Sequence, residues 1–363
     1  MRVALDGTPL LGARTGVARV VDGLVHGLCR RDGVDVVCYA VSGRRALDGV
    51  LPDGVTAARS RLPARLVREL WMRSDVPRIE HWTGPVDVVH ATNYVAPPAR
   101  VPTLVSVYDL TFVHFPEMCT PDTLRYPRLL RRALARGAHV HVTSEFVRDE
   151  VVEHLHADEQ RVSCVYPGLA PVAGGDGGRG RELAGSARYV LALGTVEPRK
   201  NLPRLVRAFD AVAAAHDDVV LVVAGPDGWG SDAFRAAVDA SKAHTRIRRL
   251  GYVSDDDRRD LLAGATVFAY PSVYEGFGFP PLEAMAAGSA VVAGAAGSLP
   301  EVLGDAALLV DPQDVDAIAG ALDALLRDHG ARGTLVERGH ARADRYTWRR
   351  AVDEMVALYG SLL

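Results

Sequence analysis

The sequence predicts an α/β protein of two doubly wound domains, each a parallel sheet with helices on both faces. Three observations predict it. Short, wholly apolar runs alternate with amphipathic stretches, the pattern of parallel strands buried on both sides and joined by covering helices. The runs fall into two series separated by a glycine-rich stretch. The length, 363 residues, suits two domains that each bury a core of their own.

In the first series, strands are expected at 2–6 (RVALD), 35–40, 86–90 (VDVVH), 102–108 (PTLVSVY), 138–143 and 161–166. The stretch PVAGGDGGRGRELAGSAR follows at 171–188, and its many glycines and few apolar residues read as an interdomain linker. The second series places strands at 189–194 (YVLALG), 219–224 (VVLVVA), 247–252, 266–270 and 290–293, then a helix at 313–327. A first domain over 1–170, a linker over 171–188, a second domain over 189–345 and a last helix over 346–363 result, the helix being expected to cross back to the first domain. Doubly wound sheets bind ligands at the carboxyl ends of their strands, so a cleft between the two Rossmann-like domains is the expected site.

Composition excludes several classes. Apolar residues make up 48% of the chain and charged residues 24%, with 42 basic side chains against 45 acidic ones, which argues against a disordered tail or a nucleic-acid coat. Two of the basic residues are lysines, Lys200 and Lys242, and the rest are arginine. Cys29, Cys38, Cys119 and Cys164 lack the close spacing of a metal or redox motif and read as thiols in a reducing cytoplasm. Neither a signal peptide nor a transmembrane run is expected, so the protein is read as cytoplasmic, with contact at the inner face of a membrane left open. Arg59–Arg78 is basic with Leu62, Leu66, Leu70 and Trp71 interspersed; an ordinary surface helix is favoured over a lipid-binding one. The acidic run Asp255-Asp256-Asp257 follows Ser254 and reads as a capped first helical turn, with no metal assigned.

Two stretches carry chemistry. In YPSVYEGFGFPPLEAMAAG (270–288), a strand end is followed by a loop with Gly276 and Gly278, by Pro280 and Pro281 suited to a first helical turn, and by a helix stop at Gly288. Backbone N–H groups at such a helix start bind anions and hydroxyls, and Glu275 and Glu283 flank the loop with seven residues between them. A carboxylate accepts two hydrogen bonds from a vicinal diol, so this pair suits a ribose at Glu283 and a sugar ring at Glu275; taken alone, Glu283 reads better as a helix-dipole partner and Glu275 as a solvated loop residue. In LGTVEPRKNLPRLVRAF (193–209), Glu197, Arg199 and Lys200 lie between a strand end and a helix that Asn201 would cap. Positive side chains at a helix start are unfavourable without an anion, which argues for a bound phosphate over a solvated loop.

These residues resemble family 4 of the glycosyltransferases, retaining enzymes of the GT-B fold. The resemblance rests on E-P-R-K-N, on the two glutamates framing G-F-G-F-P-P-L, and on S-L-P-E-V-L-G-D-A-A-L-L-V-D-P from Ser298 to Pro312. It extends to Thr15-Gly16-Val17-Ala18-Arg19, His90-Ala91-Thr92-Asn93 and Thr143-Ser144-Glu145-Phe146. It implies that Arg199 and Lys200 neutralise the diphosphate of a departing nucleotide sugar. Glu283 would hold the ribose; Glu275, with the N–H groups of Gly276, Phe277 and Gly278, would hold the donor sugar. Tyr252 and Val253 would meet the base, Gly16 the donor phosphates, and His90, Asn93 and Tyr108 the acceptor. No cofactor and no metal are implied.

One departure stands out. Where the family commonly shows a His-Asp pair, this chain has Tyr108-Asp109, so the imidazole is missing; Asp109 is expected to stay in the site, and His114 is a candidate substitute that reads more simply as a solvated loop residue. The T-G-V-A-R and Y-D-L-T-F-x-H-F-P-E segments are most similar to those of mannosyltransferases using GDP-mannose, which implies α-mannosyl transfer to a sugar or glycolipid acceptor. Mannolipid or mannose-polysaccharide synthesis, a methylmannose polysaccharide included, is the expected context. The alternatives are a UDP-glucose-dependent glucosyltransferase and a non-catalytic nucleotide-sugar-binding subunit. A sugar-nucleotide epimerase and a dehydrogenase are disfavoured, the latter because no G-x-G-x-x-G follows the first strand.

Overall fold

The computed structural model describes residues 1–12, 15–42, 47–60, 62–170 and 174–363. The chain divides into two compact units, Met1–Ala170 with Tyr346–Leu363, and Pro171–Arg345. The last helix is therefore part of the first unit.

The first unit holds β1 (Arg2–Asp6), β2 (Asp35–Val41), β3 (Thr56–Ser60), β4 (Val88–Ala91), β5 (Thr103–Val107), β6 (His139–Val142) and β7 (Val162–Cys164). They form one parallel sheet in the order β3-β2-β1-β4-β5-β6-β7. The second unit holds β8 (Arg188–Leu193), β9 (Val219–Ala224), β10 (Ile247–Gly251), β11 (Val267–Tyr270), β12 (Ala290–Gly294) and β13 (Leu308–Val310), parallel in the order β10-β9-β8-β11-β12-β13. Strand order reverses between β1 and β4 in one sheet and between β8 and β11 in the other, and at such a switch point the loops part and leave a crevice.

The strands form where apolar runs are buried on both faces. All six residues of β9 are buried, and Val190, Leu221 and Val292 pack with Leu205, Phe209 and Leu322 of the covering helices. Two strands escape the sequence reading. β3 (TAARS) leaves three of its five residues exposed, and β13 is three half-buried residues, so neither shows an apolar run. Both are edge strands, which need only one partner.

The expected linker over 171–188 is corrected. Residues 171–173 lie outside the described residues, but Gly177–Ala184 is a helix, capped at Asp176, whose carboxylate accepts from the N–H groups of Gly178 and Arg179. Its glycines serve close packing. A Cβ on Gly175 would overlap the carbonyl of Arg259, and one on Gly180 that of Asp260, both on the helix Asp255–Gly264. Composition mistook a tight helix–helix contact for flexibility.

In the first unit, the helix Trp348–Ser361 packs on Gly16–Leu28, whose Gly23 and Gly27 make room for Trp348 and Val352. The helix Ala64–Arg73 buries Val67, Trp71 and Met72 and exposes Leu66 and Leu70. All four cysteines are free. No helix among the described residues is long and apolar enough to cross a membrane.

Candidate active site

The second unit gathers its charged side chains at the β8/β11 switch point. β8 ends at Leu193, and from Gly194 the chain passes through a short 3-10 turn, Pro198–Lys200, into the helix Leu202–Ala215. Gly194 (φ 142°) and Gly225 (φ 135°) adopt backbone angles open to glycine, and a Cβ on Gly225 would overlap the Gly194 carbonyl, so these two strand ends meet in direct backbone contact. From β11 the chain runs through Glu275 to Gly278, in the left-handed region at φ 108°, and into the helix Phe279–Ala286 with its prolines in the first turn. This is the strand, glycine loop and helix start expected from the sequence.

Asn201 differs from expectation. It precedes the helix but caps nothing with its side chain; at φ 58° it turns its amide to the carbonyls of Pro271 (3.0 Å) and Pro312 (2.5 Å). It thereby ties the turn carrying Arg199 and Lys200 to the loops after β11 and β13, which fixes where the two cations stand.

Those cations converge on one carboxylate. Lys200 Nζ donates to Glu275 Oε1 at 2.6 Å, and Arg199 donates to Glu275 Oε2 at 2.6 Å. Arg199 Nε also donates to Glu197 Oε2 at 3.0 Å. Lys200 reaches the Tyr270 hydroxyl as well, with its ammonium 4.6 Å from that ring's centre. Burial would raise the Glu275 carboxyl, but the Arg199 and Lys200 charges and the Lys200 hydrogen bond outweigh it and bring it down to about 2. Burial and the neighbouring Arg199 lower Lys200, while Glu275 opposes them. The cluster is thus two cations matched by Glu197 and Glu275, all preorganised at a strand mouth. Ser298 braces it by donating to the carbonyls of Glu275 and Phe277, both at 3.0 Å.

Glu283 is buried in the helix Phe279–Ala286 and pairs with Arg258, from the helix Asp255–Gly264. Sequence reasoning missed both Arg258 and Tyr270. Arg258 lay behind the acidic run, which does form a capped turn: Ser254 accepts from the Asp257 N–H at 3.0 Å, and Asp257 pairs with Arg179. Tyr270 is a strand residue whose hydroxyl reaches the loop, and its position just before P-S-V-Y-E was the available signal. Tyr252 is 79% exposed and follows Gly251 at the end of β10, with Val253 half-buried beside it. Gly16 is exposed and opens the helix Gly16–Leu28, capped by Thr15, whose hydroxyl accepts from the Ala18 N–H at 3.3 Å.

Two acceptor assignments in the first unit are corrected. His90 is fully buried, its Nδ1 2.6 Å from the Tyr359 hydroxyl and its Nε2 2.8 Å from Ser106 Oγ. Ser106 Oγ lies 2.8 Å from His141 Nδ1, and His141 Nε2 lies 3.0 Å from the Val165 carbonyl. A carbonyl only accepts, so His141 Nε2 carries the proton, and each following bond takes one direction back to Tyr359 as the first donor. Burial holds both imidazoles neutral, His141 down to about 4 and His90 well below its usual value. His90 is a core residue at a strand end. Tyr108 is buried too, its hydroxyl donating to the Thr92 carbonyl at 2.7 Å, a role the family's histidine position did not foretell. Asp109 is half-buried and accepts from the Thr111 N–H at 3.0 Å, which makes it a turn former in this structure. His114 is exposed, as expected, and its Nε2 lies 2.5 Å from Glu150 Oε1. Asn93 stays half-buried in a pocket after β4.

Similarity to known proteins gives the class, a glycosyltransferase. Residues 14–171 match the family described as Glycosyltransferase Family 4, and residues 180–342 match Glycosyl transferases group 1. The chain is 32% identical to an O-antigen chain mannosyltransferase B of Escherichia coli over 75% of this chain and 74% of that one. It is 33% identical to a D-inositol 3-phosphate glycosyltransferase of Salinispora tropica over 58% of this chain, but spans only 48% of that protein. Among solved structures, WaaG, a glycosyltransferase involved in lipopolysaccharide biosynthesis, superposes with a TM-score of 0.75 at 16% identity over 99% of each chain. Sucrose-phosphate synthase of Thermosynechococcus elongatus does so at 0.74 and 19% identity, covering 100% of this chain and 99% of that one. The chain belongs to glycosyltransferase family 4 and has the GT-B fold.

Proposed function

We propose that this enzyme transfers mannose from GDP-mannose to a sugar or glycolipid acceptor with retention at the anomeric carbon, forming an α-mannoside without a metal ion or other cofactor. The observation that carries the reading is the Lys200–Glu275–Arg199 cluster, supported for mannose by the similarity to the O-antigen mannosyltransferase. As the bond from C1 to the diphosphate breaks, negative charge gathers on the leaving phosphate and positive charge on the sugar. Arg199 and Lys200 face the first charge, and because Glu275 already holds them they need no reorganisation. The acceptor hydroxyl bonds to C1 from the face the phosphate leaves, its proton passes to a phosphate oxygen, and GDP departs. Glu275 retains lone pairs for the donor sugar, and Glu283, anchored by Arg258, takes the ribose hydroxyls. Tyr252, Val253 and Gly276–Gly278 complete the donor side, and Asp109 positions the reacting groups. Catalysis takes place in the cytoplasm, with peripheral membrane contact when the acceptor is a glycolipid.

The test is nucleotide release from GDP-mannose, UDP-glucose and UDP-GlcNAc in EDTA, with and without simple mannosides. Release from GDP-mannose and an α-linked product by NMR are expected. Preference for UDP-glucose would reassign the donor, a β-linked product would end the retaining mechanism, and dependence on a divalent ion would end the metal-free one. Binding without release under every condition would leave a non-catalytic subunit.

A further inference from the structure

Apart from the neutral chain through His90, the first unit brings together two histidines and a glutamate. His114 ends the short helix Thr111–His114, which follows β5. Glu150 and His154 lie on the helix Glu145–Leu155, which follows β6, the neighbour of β5 in the sheet. Being four positions apart, these two stand on one helical face, about one turn from each other. One ligand-type atom from each of the three side chains lies within 4.8 Å of the others. His114 Nε2 is 2.5 Å from Glu150 Oε1, and the His114 and His154 rings have centres 5.1 Å apart and planes crossing at 80°. Glu150 is buried, His154 half-buried and His114 exposed, so the carboxylate forms the base of the set and an imidazole opens it to solvent.

We propose that His114, Glu150 and His154 bind one divalent transition-metal ion of the zinc type, which braces the turn after β5. The donor set selects the ion. Imidazole nitrogens with a carboxylate oxygen suit zinc and its neighbours, whereas calcium and magnesium take shells of oxygen. Tetrahedral zinc, at about 2.0–2.1 Å from each ligand, needs its ligand atoms about 3.3 Å apart. The His114–Glu150 pair is closer than that and the widest pair no more than 4.8 Å, so side-chain rotations of roughly 1.5 Å or less seat the ion. Water completes the shell from the open side at His114. The consequence is mechanical. Thr111, on the same short helix as His114, donates its N–H to Asp109 at 3.0 Å, so an ion on His114 ties the turn bearing Asp109 to the helix that follows β6. The ion stays out of the transfer itself, whose cations Arg199 and Lys200 belong to the second unit. It is a structural site beyond the transferase reading and separate from the acidic run at 255–257, which caps a helix.

The test strips the full chain with EDTA, exchanges it into chelator-free buffer and titrates it with cobalt(II) chloride, a spectroscopic substitute for zinc, and separately with zinc chloride. The wild type takes up one equivalent and shows the visible band of low-coordinate cobalt, without the near-ultraviolet band that a ligand from the four free cysteines would give. His154→Ala and Glu150→Gln each weaken uptake at least about a hundredfold, more than the loss of an outer-shell partner costs. His329→Ala, at an exposed histidine of the second unit, binds as the wild type does. Zinc well above its Kd raises the melting midpoint of the wild type but not of His154→Ala, and slows amide exchange over residues 109–114 in the wild type alone. No uptake near one equivalent, or equal uptake by the wild type and both site variants, would overturn the site. Loss of uptake in His329→Ala would place the ion at another histidine and overturn it as well. Uptake without slower exchange would overturn the brace. Nucleotide release in EDTA tests the transferase reading separately, so either can fail alone.

Discussion

Each unit carries a buried polar cluster near the strand ends of its sheet, and the two are built on opposite electrical principles. In the second unit, Lys200 and Arg199 grip Glu275 as charged partners with bonds of 2.6 Å. In the first, Tyr359, His90, Ser106 and His141 form a neutral chain that ends on the Val165 carbonyl. The charged cluster costs desolvation energy that only good geometry offsets, so a protein keeps one at a strand mouth where charge must be met. The neutral chain satisfies every group it buries and gives the sheet a fixed polar seam. Histidine, the residue type most often taken for a catalyst, is here on the structural side.

The comparison breaks most sharply at Lys200. Lys200→Ala should lower kcat by on the order of 10²–10³-fold, the usual cost of one preorganised donor, measured as nucleotide release at saturating donor. A fall of less than threefold would place the chemistry elsewhere.

Acid should separate the units in order. His90 and His141 bind fewer protons folded than unfolded, so stability in the first unit is lost as pH falls from about 6.5 towards about 4, with roughly 3 kcal/mol for a displacement of the size seen at His141. Asp6 opposes them: raised from 3.8 to about 6, it makes the folded state bind more protons and offsets about one histidine over that window. The net remains a loss. Glu275, depressed from 4.5 to about 2, keeps its contribution until pH falls below about 4.5. Hydrogen exchange followed by peptide should therefore show the first unit losing protection before the second; the reverse order would refute the assignment.

Ser106→Ala tests the neutral chain directly. It strands a buried nitrogen on each histidine, with an expected loss of about 2–3 kcal/mol and a melting temperature lower by roughly 5–10 °C. Donor KM should not follow it. The smallest effect concerns the helix that replaced the linker: Asp176→Ala removes a cap worth about 1 kcal/mol, visible as faster amide exchange at residues 177–184.

Most of the fold was legible because buried parallel strands spell themselves as apolar runs. β3 and β13 were not, since an edge strand buries too little to need such a run. Glycine at 175–180 was read as freedom because a sequence does not show which backbone comes close to it; the helix bearing Asp260 lies some eighty positions away in the chain. The charged cluster was legible for the opposite reason: Arg199, Lys200 and Glu275 lie in two short loops at strand ends, and the two cations conflict with a helix start. His90 and Tyr108 were not read correctly: both are buried under the strand ends of the first sheet, and no local pattern distinguishes a buried polar side chain from an accessible one.

The final helix carries a further consequence, one of timing. Trp348 fills the space at Gly23, and Tyr359 supplies the first proton of the chain through His90, yet both are translated after every residue of the second unit. On the ribosome, the unit begun first is thus finished last. The inserted unit can complete its core while its host still waits for a missing wedge, reversing the usual order in which domains mature during synthesis.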